Sequence, residues 1–320
     1  MTKILIVEPV HAASMPILEA RSDISFETIS DTSEANLLTK IIDADALTIR
    51  VSHLSEKVLQ AATKLKVVSR HGVGYDNIPV ETCTRLGIPL TIVGAVNSVA
   101  VAEHTFYLIL ALAKFGVHYN QAIKHGGIEA WDKLQALELN GKNLLIIGYG
   151  RVGKEVAIRA RAFGLNVIVY DPFYCQQPDD DITLVQNLND GLCQANIMTL
   201  HLPLLPETRN LIREEQLNLL PDNAIVVNTS RGGIINESSL VNVLSSGHLL
   251  GVGLDVFEEE PVRSDHPLLQ FDRVIVTPHS ASLTEDTLIA MGNATLQNAL
   301  DGVDGKLDPN LVVNPEVLRM

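Results

Sequence analysis

Three polar side chains with complementary chemistry each stand just past a short apolar run: Arg231 after AIVVNTS, Glu260 after GVGLDVFEE and His279 after VIVTP. Histidine titrates nearest neutral pH and can take up a proton in one direction and return it in the other. A neighbouring carboxylate favours the protonated imidazole and fixes its orientation. Arginine holds a planar carboxylate through two parallel hydrogen bonds and polarises a carbonyl oxygen. Together they suit the chemistry of a 2-hydroxy acid, whose hydroxyl gives up a proton as hydride leaves the same carbon. Singly, each has a plainer reading. A histidine after proline at a strand end is more often a loop residue. The run Glu258–Glu260 reads as a solvated acidic loop, and Arg231 before Gly232-Gly233 can simply precede a turn.

The hydride needs an acceptor, and the sequence supplies a place for one. Gly148-Tyr149-Gly150-Arg151-Val152-Gly153 follows the apolar run LLII and opens a helical stretch. Gly148 allows a tight turn, Gly150 the approach of a pyrophosphate, and Gly153 close packing of helix on strand, with free helix N–H groups facing the anion. Asp171 ends the next apolar run, eighteen residues after Gly153. A carboxylate there binds both ribose hydroxyls and repels a 2′-phosphate, which favours NAD over NADP. The plainer reading of Asp171 is a turn former. Strand, glycines, helix and acid in register make a dinucleotide site the expectation.

On the substrate side, Ser69–Asp76 (SRHGVGYD) follows an apolar run and offers successive N–H groups around two glycines, an anion nest that needs no positive side chain. Arg50 and Ser52, after ALTI, and Asn97, at the start of a long apolar segment, are further candidates for substrate binding, although Arg50 reads equally well as a surface residue. A second anionic group on the substrate would call on Arg50, Arg70 or His53.

The elements that must position these residues alternate between short β-rich runs and helical stretches, the pattern of parallel sheets covered by helices. Four strands are expected in the first part: Ile4–Val7, Ala46–Ile49, Lys66–Ser69 and Pro89–Val93. Helices are expected at Ser55–Ala62 and Pro79–Leu86, with Pro79 at a first helical position. The segment from Asn97 to Phe115 is apolar nearly all round, as in a buried helix. Six strands follow: Leu144–Ile147, Val167–Tyr170, Ile197–Leu202, Ala224–Thr229, Gly251–Val256 and Val274–Pro278, the number in a complete dinucleotide-binding sheet. Boundaries fall near Ser98 and Ser282, and the last helical stretch is expected to return to the first domain.

Composition narrows the function classes. The 320 residues suggest roughly two domains. Lys and Arg number 24 against 38 Asp and Glu, a formal charge of −14, which argues against nucleic acid and anionic membrane as main partners. Cys83, Cys175 and Cys193 form no close pair and read as reduced cytoplasmic thiols; no metal site is expected. The N-terminal MTKILIVEP reads as a strand and not a signal peptide.

The strings VVNTSRGGIINE, GVGLDVFEEEP and VIVTPHSA, with GYGRVG and HLPLLPETRNLI, resemble the D-isomer-specific 2-hydroxyacid dehydrogenases over nearly the whole chain, and most of all their phosphoglycerate dehydrogenase branch. The resemblance implies two doubly wound α/β domains. A Rossmann NAD-binding domain, 98–282, is inserted in a flavodoxin-like substrate domain made of 1–97 and 283–320. It implies Arg231, Glu260 and His279 as the catalytic set, with NAD contacts from Arg151, Val152, Asp171, Thr229, Ser230, Arg231, His279 and Asp255, the last holding the carboxamide. His201 and Pro203 would line the adenosine pocket, and Val73 and Gly74 would take the substrate carboxylate. The stretch Phe115–Trp131 is similar to the family's dimer arm, so a homodimer is expected. Asn236 departs from the family's usual Asp, and Ser280-Ala281-Ser282 from a glycine-containing segment. Amino-acid feedback through a further domain is not expected. The resemblance leaves several substrates open: phosphoglycerate, hydroxypyruvate or glyoxylate, lactate, and sulfolactate, with a formate- or phosphite-type enzyme beside them. An NAD-sensing corepressor on the same fold is the alternative from another class.

Overall fold

The apolar runs become parallel strands in two separate sheets. A computed structural model describes residues 1–127, 136–174 and 181–319; Trp131 and Cys175 lie outside them. The chain divides into two units, Met1–Asn97 with Leu283–Met320, and Ser98–Ser282.

In the first unit β1 (Thr2–Val7), β2 (Ile24–Ile29), β3 (Ala46–Ile49), β4 (Val67–Arg70) and β5 (Leu90–Thr91) lie in the order β2-β1-β3-β4-β5, the flavodoxin arrangement. Alternate residues face opposite layers. Leu5, Val7, Leu47, Ile49 and Val68 pack into one core. Ile4, Ile6, Ala46 and Val67 pack into another, against Leu296, Ala299 and Leu300 of the last long helix, Glu285–Asp304. Burial on both faces is why these central strands read as unbroken apolar runs. The edge strand β2, ISFETI, is exposed on part of its length and is a fifth strand beyond the four expected. The run Pro89–Val93 pairs only over Leu90–Thr91, and Pro79 is the N-cap, not the first residue, of helix Val80–Arg85.

The second unit carries β6 (Asn143–Ile147), β7 (Asn166–Tyr170), β8 (Ile182–Leu184), β9 (Ile197–Leu200), β10 (Ala224–Asn228), β11 (Leu249–Leu254) and β12 (Val274–Val276), in the order β12-β11-β10-β9-β6-β7-β8. Strand order reverses between β6 and β9, and ligands of such sheets bind outside the strand ends at that point. Among the described residues the sheet has seven strands and not six: β8 is three residues long with only Ile182 buried, too little apolar sequence to stand out. The strands β9 to β12 also stop one or two residues short of their apolar runs. His201, Thr229, Asp255 and Thr277 therefore lie just past strand ends. Helix Ser98–Ala113 buries Leu108, Ile109 and Leu112 with Leu144 and Ile146, and exposes Val99, Glu103 and Tyr107. Among the described residues no single helix is long and apolar enough to cross a membrane.

Candidate active site

The glycine fingerprint forms the β6 turn and the first turn of helix Arg151–Ala162. Gly148 has φ +94 and lies so near β9 that a Cβ would stand 2.6 Å from His201 O. At Gly153 a Cβ would meet Gly148 O at 2.1 Å, whereas at Gly150 it would find nothing within 4 Å among the described residues. A clear approach to the helix N-terminus suits a pyrophosphate. Across the turn, the His201 imidazole is enclosed although the residue as a whole keeps some exposure, and burial pushes its pKa down to about 3. Its Nε2 meets Thr199 Oγ1 at 3.1 Å, while among the described residues Nδ1 is buried without a partner. An orphaned polar nitrogen beside an open glycine cradle fits the adenosine end of a dinucleotide. Asp171 Oδ2 accepts the Tyr149 N–H (2.8 Å) and Oδ1 the Phe173 N–H (2.9 Å), so it forms a turn and also fastens the glycine loop to β7.

At the other end of the same sheet edge, His279 Nδ1 is 2.8 Å from Glu260 Oε2, with both side chains part-exposed. The Phe257 N–H donates to Glu260 Oε1 at 3.0 Å. Burial alone would raise the pKa of Glu260. Hydrogen bonds from His279 and Phe257, with the charges of His279 and Arg231, hold it below the usual carboxylate range. Its carboxylate therefore accepts, so His279 Nδ1 carries the proton and Nε2 is the nitrogen left to exchange one. Arg231 follows β10 on a turn held by Asn228, whose Nδ2 donates to Arg231 O (2.8 Å) and whose Oδ1 accepts from Ser230 N (3.0 Å). Gly232 lets that turn lie against the Glu260 loop, since a Cβ there would stand 1.8 Å from Phe257 O. The structure thus brings Arg231, Glu260 and His279 into one neighbourhood.

The acidic run is partly engaged, not simply solvated. The Glu258 N–H donates to Glu237 Oε1 (2.7 Å) and the Glu237 N–H to Glu258 Oε1 (3.3 Å), while His266 Nε2 meets Glu237 Oε2 (3.0 Å). Asn236 caps helix Glu237–Ser246 by accepting the Ser239 N–H at 2.9 Å, work that Asn and Asp do about equally well.

The loop carrying His279 is anchored by Asp255, which is 1% exposed. Its carboxylate accepts from Thr277 Oγ1 (2.5 Å), Ser280 N (2.8 Å) and Ala281 N (2.9 Å), and its carbonyl accepts from His279 N (2.8 Å). His279 is held in the left-handed region at φ +51. His104, from helix Ser98–Ala113, reaches Thr277 Oγ1 at 2.9 Å. Nothing in the spacing of His104, Thr277 or Asn228 marks them beforehand; they become visible only once strands and helix are side by side.

In the first unit Arg50 and Ser52 follow β3, Val73 and Gly74 follow β4, and Asn97 lies beyond β5. His71 is 5% exposed, its Nδ1 is 3.1 Å from Thr295 Oγ1, and burial with the charges of Arg50 and Arg70 pushes its pKa down to about 4. Among the described residues, the N–H groups of Val73 and Gly74 make no hydrogen bond within the protein, and Asn97 Oδ1 is buried without a partner.

A doubly wound unit with an open glycine cradle at the point where strand order reverses defines the class as a dinucleotide-binding protein. Residues 106–281 match the profile of the "D-isomer specific 2-hydroxyacid dehydrogenase, NAD binding domain". A D-3-phosphoglycerate dehydrogenase of Methanocaldococcus jannaschii is 39% identical over 99% of this chain, which spans about three fifths (60%) of that relative's length. A glyoxylate reductase of Aeropyrum pernix is 39% identical over 89% of this chain and 87% of its own. The crystal structure of a D-lactate dehydrogenase from Aquifex aeolicus, complexed with NAD and lactic acid, superposes with a TM-score of 0.86 at 28% identity, covering 97% of this chain and 99% of that one. The chain belongs to the D-isomer specific 2-hydroxyacid dehydrogenases, and its second unit is the family's NAD-binding domain.

Proposed function

We propose that this chain interconverts a small D-2-hydroxy acid and its 2-oxo acid with NAD, and that its substrate carries a second anionic group, as phosphoglycerate does. The observation that carries the reaction is the 2.8 Å pair of His279 Nδ1 and an ionised Glu260, on the sheet edge that also holds the glycine cradle. Bound NAD would supply the hydride acceptor for oxidation and, as NADH, the donor for reduction. Residues Gly148 to Gly153 and Asp171 would hold its pyrophosphate and adenine-side ribose, His201 and Pro203 its adenosine, and Thr229, Ser230 and Asp255 its nicotinamide end. His279 Nε2 takes the hydroxyl proton of the substrate in oxidation and gives it back in reduction. Glu260 keeps the imidazole oriented and stabilises its charged form. The Arg231 guanidinium holds the substrate carboxylate and polarises the oxygen at the reacting carbon. In the first unit the Val73 and Gly74 N–H groups, with Ser52 and Asn97, are the candidates for binding the substrate.

Support for a second anion comes from Arg50 and Arg70, which the register of β3 and β4 brings near one another, with Ile49 opposite Arg70. The names of the relatives divide between phosphoglycerate and glyoxylate, so the deciding experiment is a substrate panel. Phosphoglycerate, glyoxylate, hydroxypyruvate, lactate, sulfolactate, formate and phosphite are each assayed with NAD and NADP. Turnover of phosphoglycerate with NAD at the highest kcat/KM is expected. Preference for glyoxylate or hydroxypyruvate would transfer the reading to a reductase of small 2-oxo acids. No turnover of any acid would favour an NAD-sensing protein. The same reading includes a homodimer, checked by light scattering on the purified protein.

A further inference from the structure

The turn that carries Arg50 presents its N–H groups as an anion site would, yet an internal carboxylate fills it. The N–H groups of Arg50, Val51 and Ser52 converge on one oxygen, Glu8 Oε2, at 3.2, 2.9 and 3.1 Å. Glu8 is the first residue past β1, and β1 pairs with β3 so that Val7 lies opposite Ile49. Register therefore places Glu8 beside Arg50. Its backbone is left-handed at φ +69, an uncommon conformation for a residue with a Cβ. Its own N–H is fixed on Ile29 O at 2.9 Å. The opposite side of the turn is held as firmly: Asn77 Nδ2 donates to Ser52 O at 2.6 Å and Arg50 O at 3.3 Å, and the Leu54 N–H donates to Asn77 O at 2.9 Å.

This arrangement decides what the turn can offer a ligand. Its amides are already committed, so an incoming anion meets the side chain of Arg50 and not the backbone. A flexible arginine loses rotamer freedom when it binds, and a pinned backbone reduces the part of that loss that comes from the main chain. We propose that Glu8 is the positioning residue of Arg50, holding the β3 turn so that the guanidinium meets the second anionic group of the substrate. The inference rests on the function proposed above and adds to it a residue with no contact to the reacting atoms.

The test is a double-mutant cycle read on phosphoglycerate and glyoxylate, with phosphoglycerate binding to the NAD-loaded protein measured by calorimetry. Glu8→Ala and Arg50→Ala should each raise KM and Kd for phosphoglycerate about tenfold or more, and Glu8→Ala should keep kcat and the glyoxylate constants within about threefold of wild type. The double variant should be no weaker than the weaker single one, because both remove the same contact. Glu8→Gln, which keeps an accepting oxygen, should recover most of the affinity. Thermal melts identify any variant that has lost its fold, and Glu8→Asp, whose shorter side chain draws the oxygen back from the three N–H groups, then replaces Glu8→Ala in the cycle. Unchanged KM and Kd in Glu8→Ala, or losses that multiply in the double variant, would overturn the positioning role while leaving the dehydrogenase reading intact. Wild-type protein that binds phosphoglycerate through Glu8 and Arg50 but oxidises no acid would overturn the reaction and leave the positioning role standing. Wild type that turns over only glyoxylate and does not bind phosphoglycerate would overturn the inference together with the second anionic group, and leave the dehydrogenase reading intact.

Discussion

At the scale of single side chains, the proposed chemistry turns on which nitrogen of His279 holds its proton. An ionised Glu260 settles that, and an uncharged amide at the same place would not. Glu260→Gln keeps the shape and one acceptor but removes the charge that favours a protonated imidazole. It should lower kcat about 10- to 100-fold, on the order of 1.4–2.7 kcal/mol, with KM changed far less, as steady-state rates would show. An unchanged kcat would leave Glu260 as an ordinary loop anchor. Asp171 acts on a different property. Both its oxygens already accept loop N–H groups, so Asp171→Ala should loosen the glycine turn as well as remove the charge. The expected result is weaker NAD use and a NAD/NADP preference reduced about tenfold or more. Discrimination equal to wild type would assign Asp171 to the turn alone.

Elements place these groups more than single residues do. Asp255 joins β11 to the loop beyond β12 by binding the groups on either side of His279. Because Thr277 Oγ1 donates to Asp255, it accepts from His104 Nε2–H, which ties helix Ser98–Ala113 to the same anchor. His104→Leu should keep the apolar packing of that helix and release Thr277. A kcat lowered about three- to tenfold, with His104→Gln closer to wild type, is the expected pattern in parallel assays. Equal rates in all three proteins would make His104 a packing residue only. The elements also explain how far the sequence was readable. Strands buried on both faces announce themselves, and the residues following them, from Arg231 to His279, could be named in advance. The edge strand β2 and the short β8 bury too little to leave a run. Glu8 and His104 look like any acid after a strand and any histidine in a helix, because their partners are brought to them by strand register and helix packing. Spacing along the chain carries no trace of either.

For the whole molecule, acid is the condition under which charge and burial pull in opposite directions. At neutral pH the formal charge is −14, and it falls towards zero as pH approaches the isoelectric point near 5.1. Relief of self-repulsion should stabilise the folded chain over that interval. Buried histidines oppose it. The His71 imidazole is neutral in the folded protein down to about 4, from an ordinary value of 6.5, and burial depresses His201 in the same direction. Between those limits the unfolded chain binds protons that the folded one refuses, so stability falls as pH falls through 6.5 and continues down to about 4. For His71 alone the loss is about 3 kcal/mol, a large fraction of the stability of a typical domain. Maximum stability should therefore lie above the isoelectric point. Thr295 Oγ1 donates to Met291 O, so it accepts from His71 Nδ1–H, and an asparagine amide can supply the same donor without titrating. His71→Asn should cost some packing at pH 7.5 but flatten the decline between pH 6.5 and 4, seen as urea midpoints measured across that range. A variant whose midpoints fall as steeply with acid as those of wild type would move the acid sensitivity from His71 to other groups.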